Sequence, residues 1–105
     1  MIKLIKNKEG KIREVSPGYT INNLLTKEFS SNVSLVEGTS NNHREITKGI
    51  NNDRVYYILK GKMIILGKES LVAEEGDIIF ISRGTEYEFE GTFKAIIINV
   101  PAFDP

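Results

Sequence analysis

Residues 54–100 read RVYYILKGKMIILGKESLVAEEGDIIFISRGTEYEFEGTFKAIIINV, and this segment carries the most regular pattern in the chain. Its apolar runs are short and rich in Ile, Val, Tyr and Phe, the residues that favour strands. The predicted strands are Val55–Lys60, Lys62–Leu66, Glu69–Ala73, Asp77–Ile81, Glu86–Glu90 and Phe93–Val100. Turn residues at this spacing predict an all-β sandwich or barrel. No connection is long enough for the crossover helix that a parallel α/β sheet needs.

Residues 1–53 continue the strand pattern less regularly. The alternating segments are Ile2–Lys6, Lys11–Val15, Val33–Glu37 and Arg44–Lys48. Thr20–Phe29 is the single helical candidate, because its apolar side chains recur at helical spacing and Thr20 can cap the first turn. A short helical turn or a loop fits that segment equally well. We therefore predict one domain over residues 1–105, with N-terminal strands and a possible helix in 1–32 and a barrel core in 33–105.

Composition excludes several classes of site. The chain has 14 basic and 14 acidic residues, one histidine and no cysteine. It therefore lacks a disulfide, a thiolate metal site and a cysteine nucleophile, and it cannot supply two imidazoles to one site. The balanced charge argues against binding nucleic acid through a broad basic face.

The sequence also lacks the pattern of a membrane protein. Its longest apolar run near the C-terminus, Ala95–Ile98, is far shorter than the roughly 20 residues of a membrane helix. The N-terminus has no apolar stretch of the length that a signal peptide requires. We expect a cytoplasmic protein that does not contact a membrane.

Two segments resemble the motifs of the cupin family. Arg54–Gly61, RVYYILKG, resembles the end of the first motif, E-x-x-Y-x-L-x-G. Gly76–Tyr87, GDIIFISRGTEY, resembles the second, G-D-x-x-x-I-P-x-G-x-x-H, and Ile98–Phe103 resembles the last strand and exit of many cupins. The resemblance implies an antiparallel double-stranded β-helix, or jelly-roll barrel. Some small accessory cupins of ethanolamine metabolism also resemble residues 53–101.

The departures from the cupin motifs concern the metal ligands. Metal-binding cupins use two histidines and a glutamate from the first motif and a histidine from the second. The corresponding residues here are Lys48 and Ile50 (or Thr47 and Gly49), Arg54 and Tyr87. A guanidinium, a phenol and an aliphatic side chain do not make a divalent-metal site. We therefore expect no bound metal and no cofactor.

The same positions are candidates for binding a small ligand. Arg54 and Tyr56 share one strand face, because side chains alternate with a period of two. Arg54 either binds an anionic group of a ligand, forms an internal ion pair with Glu86, Glu88 or Asp53, or lies at the surface. Tyr87 either reaches a ligand, as hydrogen-bond partner or general acid, or is a core aromatic whose hydroxyl meets a backbone carbonyl. The predicted ligand-binding residues are Arg54, Tyr56, Tyr87 and Lys48.

His43 is the only imidazole and, with Tyr87, the only catalytic candidate. As a general base it would need an orienting carboxylate, and Glu45 shares its face if the segment is a strand. A solvated loop histidine is the competing interpretation. We expect Phe80 and Phe89 to lie in the core.

Three functions fit these observations. The first is a metal-free cupin-like protein that binds a small polar or anionic ligand without turnover. The second is a metal-independent isomerase or epimerase of sugars or keto acids that uses a His43–Tyr87 pair. The third is a structural dimerisation module with a filled barrel. We expect a homodimer whose contacts come from residues 2–15 and the Pro101–Phe103 tail.

Overall fold

Strand-forming residues between glycine-rich turns produce an all-β structure, described for residues 1–103 in a computed structural model. One 3-10 turn, Asn7–Glu9, precedes the strands. The strands are β1 (Lys11–Ser16), β2 (Tyr19–Leu25), β3 (Ser34–Thr47), β4 (Asp53–Leu66), β5 (Leu71–Glu74), β6 (Ile78–Ile81) and β7 (Tyr87–Val100). Every pairing between them is antiparallel, which confirms the predicted fold class.

The sheet is ordered β1-β2-β3-β7-β4-β5, and β6 pairs with the first part of β4. The strands β3, β4 and β7 are each 14 residues long and form the centre of the sheet. They span positions where the sequence predicts pairs of shorter strands. These long strands curl, so that Tyr87 at the start of β7 and Asn99 near its end both contact Arg54 of β4.

Gly61 and Gly91 explain why the predicted short strands are continuous. Both have positive φ angles, 75° in β4 and 131° in β7. A Cβ at Gly61 would overlap the carbonyl oxygen of Thr92, and one at Gly91 would overlap that of Lys62. Glycine therefore lets β4 and β7 approach closely and bend at these points without ending.

The N-terminal third differs from the sequence prediction. The helix expected at Thr20–Phe29 is absent, because β2 occupies Tyr19–Leu25 and pairs with β1 on one side and β3 on the other. Hydrogen bonding to two neighbouring strands outweighs the helical spacing of a few apolar residues. Ile2–Lys6 forms no strand, and Ile2 and Leu4 are exposed.

The core lies between the inward faces of the sheet and is largely aromatic. Phe89 and Phe93 are buried there, which confirms the prediction for Phe89. The prediction for Phe80 is wrong, since this side chain is 61% exposed. In the short strand β6, Ile81 faces the core and Phe80 faces outward.

No helix within residues 1–103 is long and apolar enough to cross a membrane.

Candidate functional site

A cavity of about 220 Å³ lies on the inner side of the sheet. Among residues 1–103, seven apolar residues and eight charged or polar residues line it. The polar and charged lining residues are Arg13, Tyr19, Asn23, Glu45, Thr47, Arg54, Tyr56 and Asn99. A concave site that combines apolar side chains with convergent polar groups is a common form of small-molecule site.

Arg54 is the centre of a hydrogen-bond network at this cavity. Its Nε donates to Oδ1 of Asn99 at 2.8 Å, and its Nη1 donates to the Tyr87 hydroxyl at 3.0 Å. The Tyr87 and Tyr56 hydroxyl oxygens are 2.5 Å apart. The guanidinium carbon also lies 5.2 Å from the centroid of the Phe103 ring. The predicted common face of Arg54 and Tyr56 on β4 is therefore present.

None of the three carboxylates expected to neutralise Arg54 does so. Glu86 pairs with Lys48, Glu88 with Arg44, and Asp53 with Arg83. Within residues 1–103, the polar partners of the guanidinium are neutral groups: Asn99 and Tyr87, with the Tyr56 hydroxyl beside them. The internal ion pair is therefore wrong. A guanidinium has five N–H groups, and the bonds to Asn99 and Tyr87 use two of them, so donor capacity remains for a further acceptor.

The protonation states at the site follow from burial and charge. Burial lowers the pKa of Arg54, but Tyr56 and Tyr87 act in the opposite direction and leave the pKa above its usual value. Burial also raises the pKa of Tyr56 well above 10. The pKa of Tyr19 is raised for the same reason, and next by the charge of Glu45. The cavity therefore presents a fixed cation beside neutral phenols that can donate hydrogen bonds.

His43 lies in β3 and not in a loop, which corrects the solvated-loop interpretation. Its ring stacks on Tyr19, with centroids 5.0 Å apart and planes 3° from parallel, and only 10% of its side chain is exposed. Nε2 lies 2.7 Å from Oε1 of Glu45, as expected for two residues on one strand face. The prediction placed His43 at the ligand and Glu45 behind it as the orienting carboxylate. In the structure Glu45 lines the cavity wall and His43 lies behind it.

The remaining candidates divide between the cavity and the surface. The Tyr87 hydroxyl contacts Arg54 and Tyr56, and not a backbone carbonyl. Lys48 is 79% exposed, lies 3.7 Å from Glu86 and is not brought to the cavity wall. His43 and Tyr87 both contact the Phe89 ring, and within residues 1–103 neither a hydrogen bond nor a ring contact joins the two.

Sequence reasoning missed Tyr19, Asn99 and the exposure of Glu45 to the cavity. Asn99 interrupts the run Ile96–Ile98 opposite Arg54, and a lone amide in an apolar strand is a signal that a buried partner exists. Tyr19 gave no such signal, because it lies between the predicted strand Lys11–Val15 and the helical candidate Thr20–Phe29 and was assigned to neither. Glu45 was considered only as a partner of His43.

The residues that take the metal-ligand positions of the cupin motifs do not fit a metal. Arg54 and Tyr87 are hydrogen-bonded to each other at that place, and the arginine is a fixed cation. No group of three or more His, Asp or Glu side chains comes together in the described part of the chain. The donor set therefore does not suit a divalent ion, and no chemical step is assigned to one.

An outer groove of about 570 Å³ lies beside the inner cavity. The two share the side chains of Arg13, Asn23, Val36 and Phe103 in their walls. The charged residues of the groove are Lys11, Arg13, Lys27 and Glu28. Phe103 stands at the junction, because its backbone N–H donates to Oγ of Ser34 at 2.9 Å and its ring covers the Arg54 guanidinium.

Solved structures with this fold come from several differently named proteins. A tyrosine-to-phenylalanine variant of Streptomyces PAC13 with uridine superposes with a TM-score of 0.84, at 15% identity, over 99% of this chain and 85% of that chain. Pac13 is described as a nucleoside dehydratase. KdgF from Halomonas sp. gives 0.83 at 15% identity, over 99% of this chain and 97% of that one. At these identities the likeness shows the fold alone.

A putative ethanolamine utilization protein Q from Salmonella typhimurium LT2 gives a TM-score of 0.81 at 21% identity, over 97% of this chain and 88% of that one. No curated protein sequence matches the chain. The family described as ethanolamine utilisation protein EutQ matches residues 1–103. Since that match spans nearly the whole sequence, the chain belongs to the cupin-like EutQ family.

Proposed function

We propose that this protein binds a small organic ligand with an anionic group in its barrel cavity, without a metal. The observation that carries the proposal is Arg54, whose partners within residues 1–103 are neutral. A carboxylate or phosphate of the ligand completes the hydrogen bonding of the guanidinium. Binding alone is sufficient for this function, and no turnover is assumed.

The setting of Arg54 suits an anion. A buried cation is unfavourable unless it is paired and hydrogen-bonded, and residues 1–103 supply Arg54 with hydrogen bonds but no ion pair. Charge-assisted hydrogen bonds from a planar guanidinium to a carboxylate or phosphate are among the strongest in proteins. Because Asn99 and Tyr87 fix two sides of the guanidinium, its remaining N–H groups are held in place before a ligand arrives.

The size of the site limits the ligand. About 220 Å³ is below the roughly 300–1,000 Å³ of ordinary ligand pockets, so the inner cavity suits a compact molecule or the polar end of a larger one. A structurally similar protein, PAC13, was solved with uridine, which supports an organic ligand in a barrel of this shape. The cavity also argues against a filled barrel that serves dimerisation only.

The test compares anions with neutral molecules of the same shape. Propionate and butyrate are titrated by calorimetry beside propionamide and butyramide, and inorganic phosphate serves as a third anion. We expect the anions to bind and the amides to bind at least tenfold more weakly. Equal binding of acids and amides, or no binding by any of these probes, would overturn the proposal.

Arg54→Gln identifies the residue responsible, with Arg83→Gln as the matched control. Arg83 is an exposed arginine paired with Asp53, outside the cavity wall. Loss of a charge-assisted hydrogen bond costs about 1.5–3 kcal/mol, so we expect roughly 10- to 150-fold weaker anion binding in Arg54→Gln. Arg54→Lys provides a folded comparison that keeps the charge but loses the planar fork. Equal weakening by Arg83→Gln would exclude a specific role for Arg54.

A second candidate is a metal-independent isomerase or lyase. The observation that favours it is the presence of a carboxylate, Glu45, and a proton-donating phenol, Tyr56, in the wall of one cavity. In an isomerisation Glu45 would take a proton from the carbon beside a carbonyl, and the Tyr56 hydroxyl would hydrogen-bond the oxygen that becomes negative. The fold similarity to a nucleoside dehydratase agrees with proton-transfer chemistry in such a barrel.

Proton exchange in D₂O separates binding from turnover. Candidate keto acids and hydroxy acids are incubated with the protein, and loss of the proton signal beside the carbonyl is followed by NMR. Exchange that disappears in Glu45→Gln and persists in Glu90→Gln would support the enzyme, since Glu90 lies 3.9 Å from Arg44 and outside the cavity wall. Binding without exchange would leave the ligand-binding function alone.

A further inference from the structure

We infer that the ligand carries a hydroxyl or ammonium group in addition to its anion, and that Glu45 accepts a hydrogen bond from that group. This rests on the proposed function, because it concerns the same cavity. It adds a second anchor of opposite charge to the one at Arg54. The ligand class is then a compact hydroxy acid, amino acid or corresponding phosphate ester.

Glu45 is held in position by two neighbours on its own strand. Its Oε1 lies 2.7 Å from Nε2 of His43, and its Oε2 lies 3.4 Å from Oγ1 of Thr47. An ionised carboxylate has about four lone-pair sites and these contacts use two, so acceptor capacity is left over. The carboxylate lines the cavity with a third of its side chain exposed.

His43 serves as a positioning residue for this carboxylate. An imidazole that hydrogen-bonds an ionised carboxylate must carry its proton on the facing nitrogen, which here is Nε2. Stacking on Tyr19 and an edge contact with Phe89 prevent the ring from turning away. The histidine therefore fixes Glu45 from behind and leaves the cavity side of the carboxylate open.

Arg54 and Glu45 line one cavity and do not pair with each other. Their ion-pair and hydrogen-bond partners within residues 1–103 are other groups: Asn99 and Tyr87 for the arginine, His43 and Thr47 for the glutamate. Opposite charges that are held apart by their own neighbours leave a gap that a ligand with complementary ends can span. A purely anionic ligand would leave the remaining acceptor sites of the carboxylate unused and would add a second negative charge to the same cavity.

The test varies only the far end of the probe. Butyrate, 4-hydroxybutyrate and 4-aminobutyrate form one series, and propionate, 3-hydroxypropionate and β-alanine form a shorter one. In at least one series we expect the hydroxyl or ammonium compound to bind the wild-type protein at least fivefold tighter than the unsubstituted acid. In Glu45→Gln the ammonium compound should lose that advantage, while the unsubstituted acid keeps its affinity.

The outcomes distinguish this inference from the proposed function. If the acids bind equally within both series, and Glu45→Gln changes none of them, the second anchor is wrong and the anion site stands. If no acid binds, both the proposed function and this inference are wrong. Glu90→Gln is the control, and a loss of the ammonium preference in that variant would also contradict a specific role for Glu45.

His43→Gln tests positioning separately. Glutamine can still donate one hydrogen bond to Glu45 but cannot stack on Tyr19 as the imidazole does. We expect the ammonium preference to fall with little change in the affinity for the unsubstituted acid. Equal weakening of every probe would indicate a general structural role, which would overturn the assignment of His43.

Discussion

Arg54 Nη1 donates a hydrogen bond to the Tyr87 hydroxyl at 3.0 Å, although the two residues are 33 positions apart in the chain. Tyr87 thereby accepts a hydrogen bond from the guanidinium and can donate its own O–H to Tyr56, whose oxygen lies 2.5 Å away. In that arrangement the Tyr56 hydroxyl keeps its own O–H for another acceptor. Arg54, Tyr87 and Tyr56 therefore form one hydrogen-bond network, and we expect a substitution at one of them to weaken the hydrogen bonds of the others.

Tyr87→Phe should destabilise the protein by about 1–2 kcal/mol, because Arg54 loses a buried acceptor and Tyr56 loses its partner. Chemical denaturation measures the change in the free energy of unfolding. Tyr57→Phe is the control, since Tyr57 lies on the opposite face of β4 and is exposed. Equal losses in both variants would contradict the network.

Stability should fall as pH rises above about 10, because the buried Tyr56 has a pKa well above 10 and an unfolded tyrosine ionises near that value. The folded protein holds the proton while the unfolded chain releases it, so stabilisation is complete below pH 10 and is lost at higher pH. Denaturation midpoints between pH 8 and pH 11 measure this fall. Tyr56→Phe should make the fall shallower; an unchanged slope would show that Tyr56 does not contribute.

Gly61→Ala should be strongly destabilising, by about 2 kcal/mol or more, since an alanine at positive φ is strained and its Cβ would overlap the Thr92 carbonyl oxygen. Gly67→Ala is a matched control, because the nearest atom to a Cβ there is the Glu69 carbonyl oxygen at 3.8 Å. We expect that control to change stability by less than about 0.5 kcal/mol. Thermal unfolding compares the two, and equal losses would refute a close approach at Gly61.

Dimerisation stays a prediction, and the exposed N-terminal segment is the part of the chain at which it can be tested. The tail predicted as a contact packs on its own barrel, where Phe103 covers Arg54. The N-terminal segment is exposed at Ile2 and Leu4. We expect light scattering to give the mass of two chains, and deletion of residues 1–5 to reduce it toward one. A single-chain mass for the full protein would contradict the prediction.

The sequence was most informative where two constraints agreed. In β4 and β7, strand-forming residues and the turn glycines indicate the same structure, so the common face of Arg54 and Tyr56 followed from period alone. In β2 the only pattern was a weak helical one. The deciding hydrogen bonds come from β1 and β3, which no local pattern reveals.

Side-chain partners could not be predicted for the same reason. Which of several nearby carboxylates reaches Arg54 depends on the curvature of the sheet, and it turned out that all three have other partners. His43 and Glu45 share one strand face, and strand period cannot show which of the two side chains reaches the cavity wall; in the structure it is Glu45. Phe80 was assigned to the core by its composition, but β6 is an edge strand with one face open.

The curl of β7 brings both of its ends to one side chain. Tyr87 starts this strand, Asn99 is one residue from its end, and both bond the same guanidinium. Inserting or deleting a single residue between them would turn one of the two to the opposite face of the sheet. Substitutions can therefore change the side chains of the site while β7 keeps its register, whereas a change in the length of β7 would remove one of the two hydrogen bonds that hold Arg54.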